Sequence, residues 1–188
     1  KMRTSDLVRE HADAGPAAVC RALNRNLFEH KLGSDLYATL FLAIFEPTTQ
    51  RWRACNCGHP LPILLGADGT PRPGAIPDEG ELPLGVANQP EQYGPQSEIT
   101  WESSPGDVLL LFTDGTYEAV HAETGERCGV ENFRRLASGA YRLNPDASLP
   151  DELLDRMEAE GYRIDGDDCC VVGVRLLPPE SLLIEREV

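Results

Sequence analysis

Apolar positions change their period along the chain. Over Pro16 to about Lys31, Ala18, Val19, Ala22, Leu23, Leu27 and Phe28 recur at three- and four-residue intervals. That spacing predicts an amphipathic helix with one face on a core. Met2 to His11 predicts the end of an earlier helix, broken over Ala12-Asp13-Ala14-Gly15. From Ala38 to Phe45 aromatic and branched residues predict a strand. Glu46 to Gln50 then supplies a turn, and Arg51 to Cys57 returns with Trp52 and Ala54 alternating with Arg51 and Arg53, which makes a hairpin. Gly58-His59-Pro60 breaks it, and Leu61 to Leu65 predicts another short strand. Gly66 to Gln96 is rich in Gly, Pro, Asp and Glu and predicts a long surface excursion, a flap beside a site. Leu82-Pro83-Leu84-Gly85 is its only expected apolar anchor.

Ser97 to Trp101 predicts a strand leading to the stretch that organises the rest, Gly106 to Val120. There, Val108 to Phe112 is an unbroken apolar run between the turns Pro105-Gly106 and Asp114-Gly115, which reads as a buried strand. Val120 to Gly129 predicts a polar loop and Val130 to Leu136 a short helix. Ser148-Leu149-Pro150-Asp151 carries helix-start signals resembling a capping box; Leu153, Leu154 and Met157 form the apolar face, and Gly161 ends the helix. Cys169 to Leu177 predicts a last strand, and Pro178 to Val188 a charged peripheral tail. Strands in the middle with helices gathered at both ends point to an α+β fold, sheets covered by helices.

The length of 188 residues suits one domain with a substantial core. No apolar run approaches the ~20 residues that span a bilayer. A formal charge of −14 disfavours nucleic acid and anionic membrane surfaces as partners. Six cysteines raise the question of zinc or disulfides. Cys55-x-Cys57 is not a zinc-knuckle spacing, and no second pair completes four ligands. Cys20, Cys55, Cys57, Cys128, Cys169 and Cys170 therefore read as small buried core residues in a reducing, cytoplasmic compartment, with zinc the lesser alternative.

Candidate chemistry rests on carboxylates. Asp114 follows the buried strand, beside a glycine, at a place suited to holding a hard cation through oxygen. Asp165, Asp167 and Asp168 precede the last strand as Asp114 follows the central one. If the two strands are antiparallel neighbours, the end of one lies beside the start of the other, and Asp114 and Asp167 converge. Paired carboxylates suit Mg²⁺ or Mn²⁺, and two such ions activate water for in-line attack on phosphate. Turn chemistry alone also explains Asp-Gly, and a solvated loop explains the acidic cluster.

These residues carry a resemblance. Leu110-Leu111-Phe112-Thr113-Asp114-Gly115-Thr116-Tyr117-Glu118-Ala119, preceded by Pro105-Gly106-Asp107, resembles the strand-and-turn motif of the bacterial SpoIIE/RsbU-type branch of PPM (PP2C-like) serine/threonine phosphatases. Thr39-Leu40-Phe41-Leu42-Ala43 resembles that family's Thr-Leu-Phe strand, and Asn56-Cys57-Gly58-His59-Pro60 its Asn-Ala-Gly-His-Pro segment. Leu82-Pro83-Leu84-Gly85 fits its Pro-Leu-Gly turn, and Asp167-Asp168-Cys169-Cys170 its closing Asp-Asp-x-Thr, with Cys170 where threonine is usual. Order and spacing agree over about Arg3 to Leu177.

The resemblance implies a single domain over residues 1–188, an αββα sandwich of antiparallel sheets flanked by helices. It implies a two-metal site of Mn²⁺ or Mg²⁺ and hydrolysis of phosphoserine or phosphothreonine on a protein such as an anti-sigma-factor antagonist. By position, Asp114 and Asp167 are the expected catalytic metal ligands, with Asp168 beside them. Glu118 matches the motif's glutamate and is expected either to orient the turn or cap the following helix or to take a catalytic role, and His59 to be a hydrogen-bonded structural residue. The family's opening Gly-Asp-x-x-Gly-x-Gly motif has no match here, so the chain is expected to hold half of a two-metal centre. Sheet edges without their usual partner strands then favour association, a homodimer included. Two rival readings remain: a catalytically inactive module that binds a signalling partner, and a divalent-cation sensor.

Overall fold

The computed structural model describes residues 4–30, 36–77, 80–89, 91–164 and 168–178. The chain folds as two compact units interleaved in sequence, Lys1–Leu61 with Ile76–Ser103, and Pro62–Ala75 with Ser104–Val188.

In the first unit, helices α1 (Thr4–His11) and α2 (Pro16–His30) meet at Gly15, whose φ of 106° requires glycine. The predicted hairpin forms between β1 (Leu40–Glu46) and β2 (Arg51–Cys57), in register from Leu40↔Cys57 to Glu46↔Arg51. A third antiparallel strand, Ile99–Glu102, pairs with β2 on its other side and places Trp101 opposite Trp52. The two indoles stack with centroids 5.7 Å apart, and Phe45 packs on Trp52 at 4.7 Å, so cross-strand aromatics fix this register. Beneath α2, the core consists of Ala17, Cys20, Cys55, Cys57, Leu84 and Tyr93, with Leu23, Leu27, Leu40 and Leu42 packed against it.

The membership of Leu84 and Tyr93 in that core corrects the expected surface excursion over Gly66–Gln96. Leu84 exchanges two backbone hydrogen bonds with Ala38, at 2.9 and 2.8 Å. Tyr93 is fully buried, and its hydroxyl donates to the Leu82 carbonyl. Ile76 is buried as well, whereas Leu82 within the expected anchor is exposed. Widely spaced single apolar residues gave no periodic signal, yet each enters a core.

In the second unit, β3 (Ile63–Leu65), β5 (Val108–Phe112) and β8 (Val171–Arg175) form an antiparallel sheet with β5 in the centre; the strand Ile99–Glu102 of the first unit is β4. The unbroken apolar run of β5 follows from that position. Helices α4 (Gly129–Leu143) and α5 (Leu149–Ala159) supply Phe133, Leu136, Ala137, Ala140, Tyr141, Leu153 and Met157 to the same core. Phe112 and Phe133 meet with centroids 4.7 Å apart. Helix α4 runs a full two turns beyond the expected end at Leu136, because Ala137, Ala140 and Tyr141 continue its buried face across Ser138-Gly139. Ser148 stands at the N-cap of α5, but its side chain makes no capping bond; the proline beside it starts the helix instead. The expected polar loop after Val120 contains β6 (Val120–His121), paired with β7 (Tyr162–Arg163).

The last strand starts at Val171, not Cys169. Cys169 is half-buried and Cys170 exposed, so these two are not the core residues expected; the other four cysteines are buried. The tail beyond Pro178 lies outside the described residues. Among the described residues no helix is long and apolar enough to cross a membrane.

Candidate metal centre at the end of the central strand

Strands β5 and β8 pair antiparallel from Val108↔Arg175 to Phe112↔Val171. The end of β5 therefore lies beside the start of β8, as the sequence argument required. Thr113 fastens the two chains just past the ladder. Its backbone N–H donates to the Cys170 carbonyl at 3.0 Å. Its hydroxyl donates to the Asp168 carbonyl at 2.7 Å and accepts from the Cys170 N–H at 2.9 Å. Three bonds from one residue fix the closing loop against the turn that carries Asp114.

That turn is itself rigid. Asp114–Tyr117 forms one helical turn, α3, and the buried Thr116 hydroxyl donates back to the Thr113 carbonyl at 2.7 Å. Asp114 opens α3 with its carboxylate exposed, one oxygen accepting from the Gly115 N–H at 3.1 Å. Asp168 is exposed on the neighbouring loop. Asp165 and Asp167 lie outside the described residues. The structure thus brings the segments of Asp114 and Asp168 together. Oxygen-only donors, open to water and mounted on a fixed turn, fit a hard divalent cation. Burial, reinforced by the nearby Asp114 and Glu118 carboxylates, pushes the Tyr117 phenol up.

Glu118 stands at the C-terminal end of α3. Its N–H closes α3 on the Asp114 carbonyl at 2.9 Å, and its carboxylate pairs on the surface with Arg127 at 3.3 Å. In the first unit, the Asn56 amide clasps the backbone of His59, accepting from its N–H at 2.9 Å and donating to its carbonyl at 3.0 Å. The His59 Nδ1 lies 2.9 Å from the Pro60 carbonyl, which only accepts, so Nδ1 carries the proton. The ring is hydrogen-bonded within its own turn, as expected.

Sequence reasoning gave Thr113 no role; the only signal was its place directly before Asp-Gly. It also dispersed the cysteines. Among the described residues, the group of three potential metal ligands that comes together is Cys20, Cys55 and Cys57, all fully buried in the first unit. Spacing could not reveal it, because Cys20 comes from a helix and the other two from a strand.

The model of the family described as Stage II sporulation protein E matches residues 2–177, through both units. The chain belongs to the SpoIIE family. Its fold is similar to that of solved phosphatase-type domains. The RsbU and RsbW domains of Rv1364c from Mycobacterium tuberculosis align with a TM-score of 0.68 at 23% identity, over 93% of this chain and 46% of that one. The SiaA-PP2C domain of Pseudomonas aeruginosa gives 0.69 at 15% identity, over 92% and 65%. The phosphatase domain of SpoIIE from Bacillus subtilis, presoaked with manganese, gives 0.58 at 18% identity, over 96% and 76%. The chain thus spans between about half and two thirds of the first two. The α+β class, with antiparallel sheets and flanking helices, is that of the PPM phosphatases.

Proposed function

We propose that the chain is a metal-dependent protein serine/threonine phosphatase domain of bacterial signalling. Its proposed substrate is phosphoserine or phosphothreonine on a cytoplasmic regulatory protein such as an anti-sigma-factor antagonist. The observation that carries this reading is the Thr113 clamp, which holds the Asp114 turn against the Asp168 loop at the open end of β5 and β8. Membership of the SpoIIE family and the likeness to PP2C-type domains support it.

In this reading Asp114 and Asp167 hold Mn²⁺ or Mg²⁺, with Asp168 beside them. The bound cations supply charge neutralisation for phosphate and a nucleophilic water at neutral pH. The chain's own contribution is positional. The α3 turn and the Thr113 bonds fix the backbone that carries Asp114 against that of Asp168, so cation binding needs little reorganisation there. Exposure of Asp114 leaves room for a phosphorylated segment of a protein, which a sealed cavity would exclude.

The test is Mn²⁺-dependent hydrolysis of p-nitrophenyl phosphate and of a phosphoserine peptide. It is run on these 188 residues and on the complete product of their gene. Activity abolished by chelation and by Asp114→Asn is the expected result. A complete gene product that binds no Mn²⁺ and hydrolyses neither substrate sinks the proposal and leaves a module that binds a signalling partner.

A further inference from the structure

From the first unit we infer that Cys20, Cys55 and Cys57 form a buried three-coordinate site for a soft d¹⁰ cation, copper(I) ahead of zinc(II). The inference is independent of the phosphatase reading. Cys55 and Cys57 are two apart on β2, so both side chains leave the same face of a strand that β1 pairs along its whole length. Cys20 on α2 meets them from above in one apolar cluster. The three sulfurs all lie within 4.8 Å of one another, and all three residues are fully buried.

The distances suit an ion. Metal–thiolate bonds of about 2.3 Å place three sulfurs around one centre roughly 4 Å apart, so closure needs shifts below about 1 Å. The donors choose the class of ion, because thiolates favour soft cations over the Mg²⁺ or Mn²⁺ suited to carboxylates. The surroundings choose the coordination number. Among the described residues no His, Cys, Asp or Glu joins the three as a fourth ligand. The nearby Tyr93 hydroxyl is already committed, donating to Leu82 and accepting from the Gln92 amide. Leu23, Leu27, Leu84 and Tyr93 seal the cluster from water, which would otherwise fill the open position zinc(II) keeps. Binding releases thiol protons to solvent and moves no electrons. Small apolar residues would fill the same space, but they would give no reason for three sulfurs to converge. The remaining cysteines stand apart: Cys128 is buried in the core of the second unit, Cys169 is half-buried and Cys170 is exposed.

The test uses reduced full-length chain under anaerobic conditions, loaded separately with copper(I) acetonitrile complex and with zinc sulfate. Each sample is desalted against a competing chelator and assayed for bound metal. The expected result is one copper(I) per chain and little zinc. Cys169→Ser with Cys170→Ser should retain the copper, and Cys20→Ser or Cys57→Ala should lose it. Copper(I) should also raise the melting temperature of the parent and of Cys169→Ser/Cys170→Ser, but not of Cys20→Ser, since an ion bound only by the folded form stabilises it. Cys57→Ala, which leaves an apolar side chain in an apolar core, should likewise show no copper-induced rise and keeps the test decisive where Cys20→Ser folds poorly. Copper retention that survives Cys20→Ser, retention of neither ion, or preference for zinc would overturn the assignment.

Discussion

Strand β5 has a glycine–aspartate turn at each end, and the two aspartates have opposite fates. At the near end Asp107 is 2% exposed. One of its carboxylate oxygens accepts from the Ser104 N–H at 2.8 Å and pairs with Arg72 at 3.1 Å. The adjoining Gly106 carbonyl accepts from the buried Tyr141 hydroxyl at 2.7 Å. At the far end Asp114 is exposed, and its described side-chain hydrogen bond is accepted from the N–H of the next residue at 3.1 Å. Two dipeptides of the same chemistry on the same strand are therefore separated by partners and burial. A carboxylate that is buried and paired through one oxygen, as Asp107 is while its other oxygen is buried without a hydrogen-bond partner, belongs to the fold; one held rigidly with its oxygens facing water is available to a ligand.

The middle of the strand sets the scale for both ends. Phe133→Ala removes the ring that packs on Phe112 in a fully buried position and should cost about 3–5 kcal/mol. Urea unfolding reads it directly, and a loss below about 1 kcal/mol would mean this core is not continuous. Asp107→Ala comes next, at about 2–3 kcal/mol, because the Ser104 N–H loses its acceptor while half-exposed Arg72 recovers water. Its melting temperature should fall while Mn²⁺-dependent turnover per folded molecule stays near that of the parent. Asp114→Asn should invert both readouts. Turnover drops on the order of 10²-fold or more, while stability stays within about 0.5 kcal/mol. If both substitutions changed the same quantity, the distinction between the ends would collapse.

Much of this was legible in the sequence. The Val108–Phe112 run and the Trp52/Ala54 alternation are periodic signals, and they gave the central strand and the hairpin. The pairing of the end of the central strand with the start of the last one was legible too, because a strand's end and its antiparallel neighbour's start must meet; the expected convergence of Asp114 with Asp167 lies outside the described residues. What stayed hidden depends on partners distant in sequence. Nothing near Asp107 in sequence announces its partner Arg72. Ile76 and Tyr93 are isolated apolar residues in a polar stretch, and periodicity is blind to them. The helix expected to end at Leu136 continues through Gly139, because the buried face of α4 outweighs the cost of ~1 kcal/mol for an internal glycine. The thiol cluster is the extreme case, since a helix residue and two strand residues share no spacing rule.

The smallest effects probe what holds the far end in place. Thr113→Ala removes the hydroxyl that bonds both the Asp168 carbonyl and the Cys170 N–H, whereas Thr113→Ser keeps it. Alanine should cost about 1–2 kcal/mol and lower turnover roughly tenfold through loosened carboxylates, with serine restoring most of both. Serine behaving like alanine would mean that the methyl group, not the clamp, matters there. Glu118 supplies the counterpart. Its partner Arg127 has a side chain 68% exposed, and the 3.3 Å pair lies on the surface. Arg127→Ala should then shift stability by no more than about 0.5 kcal/mol and leave turnover unchanged. A large loss of turnover in Arg127→Ala with stability intact would place Glu118 in the chemistry of this end instead of on its rim. The two outcomes are separable because the ion pair weakens with salt, whereas the Thr113 bonds, formed between neutral groups, do not.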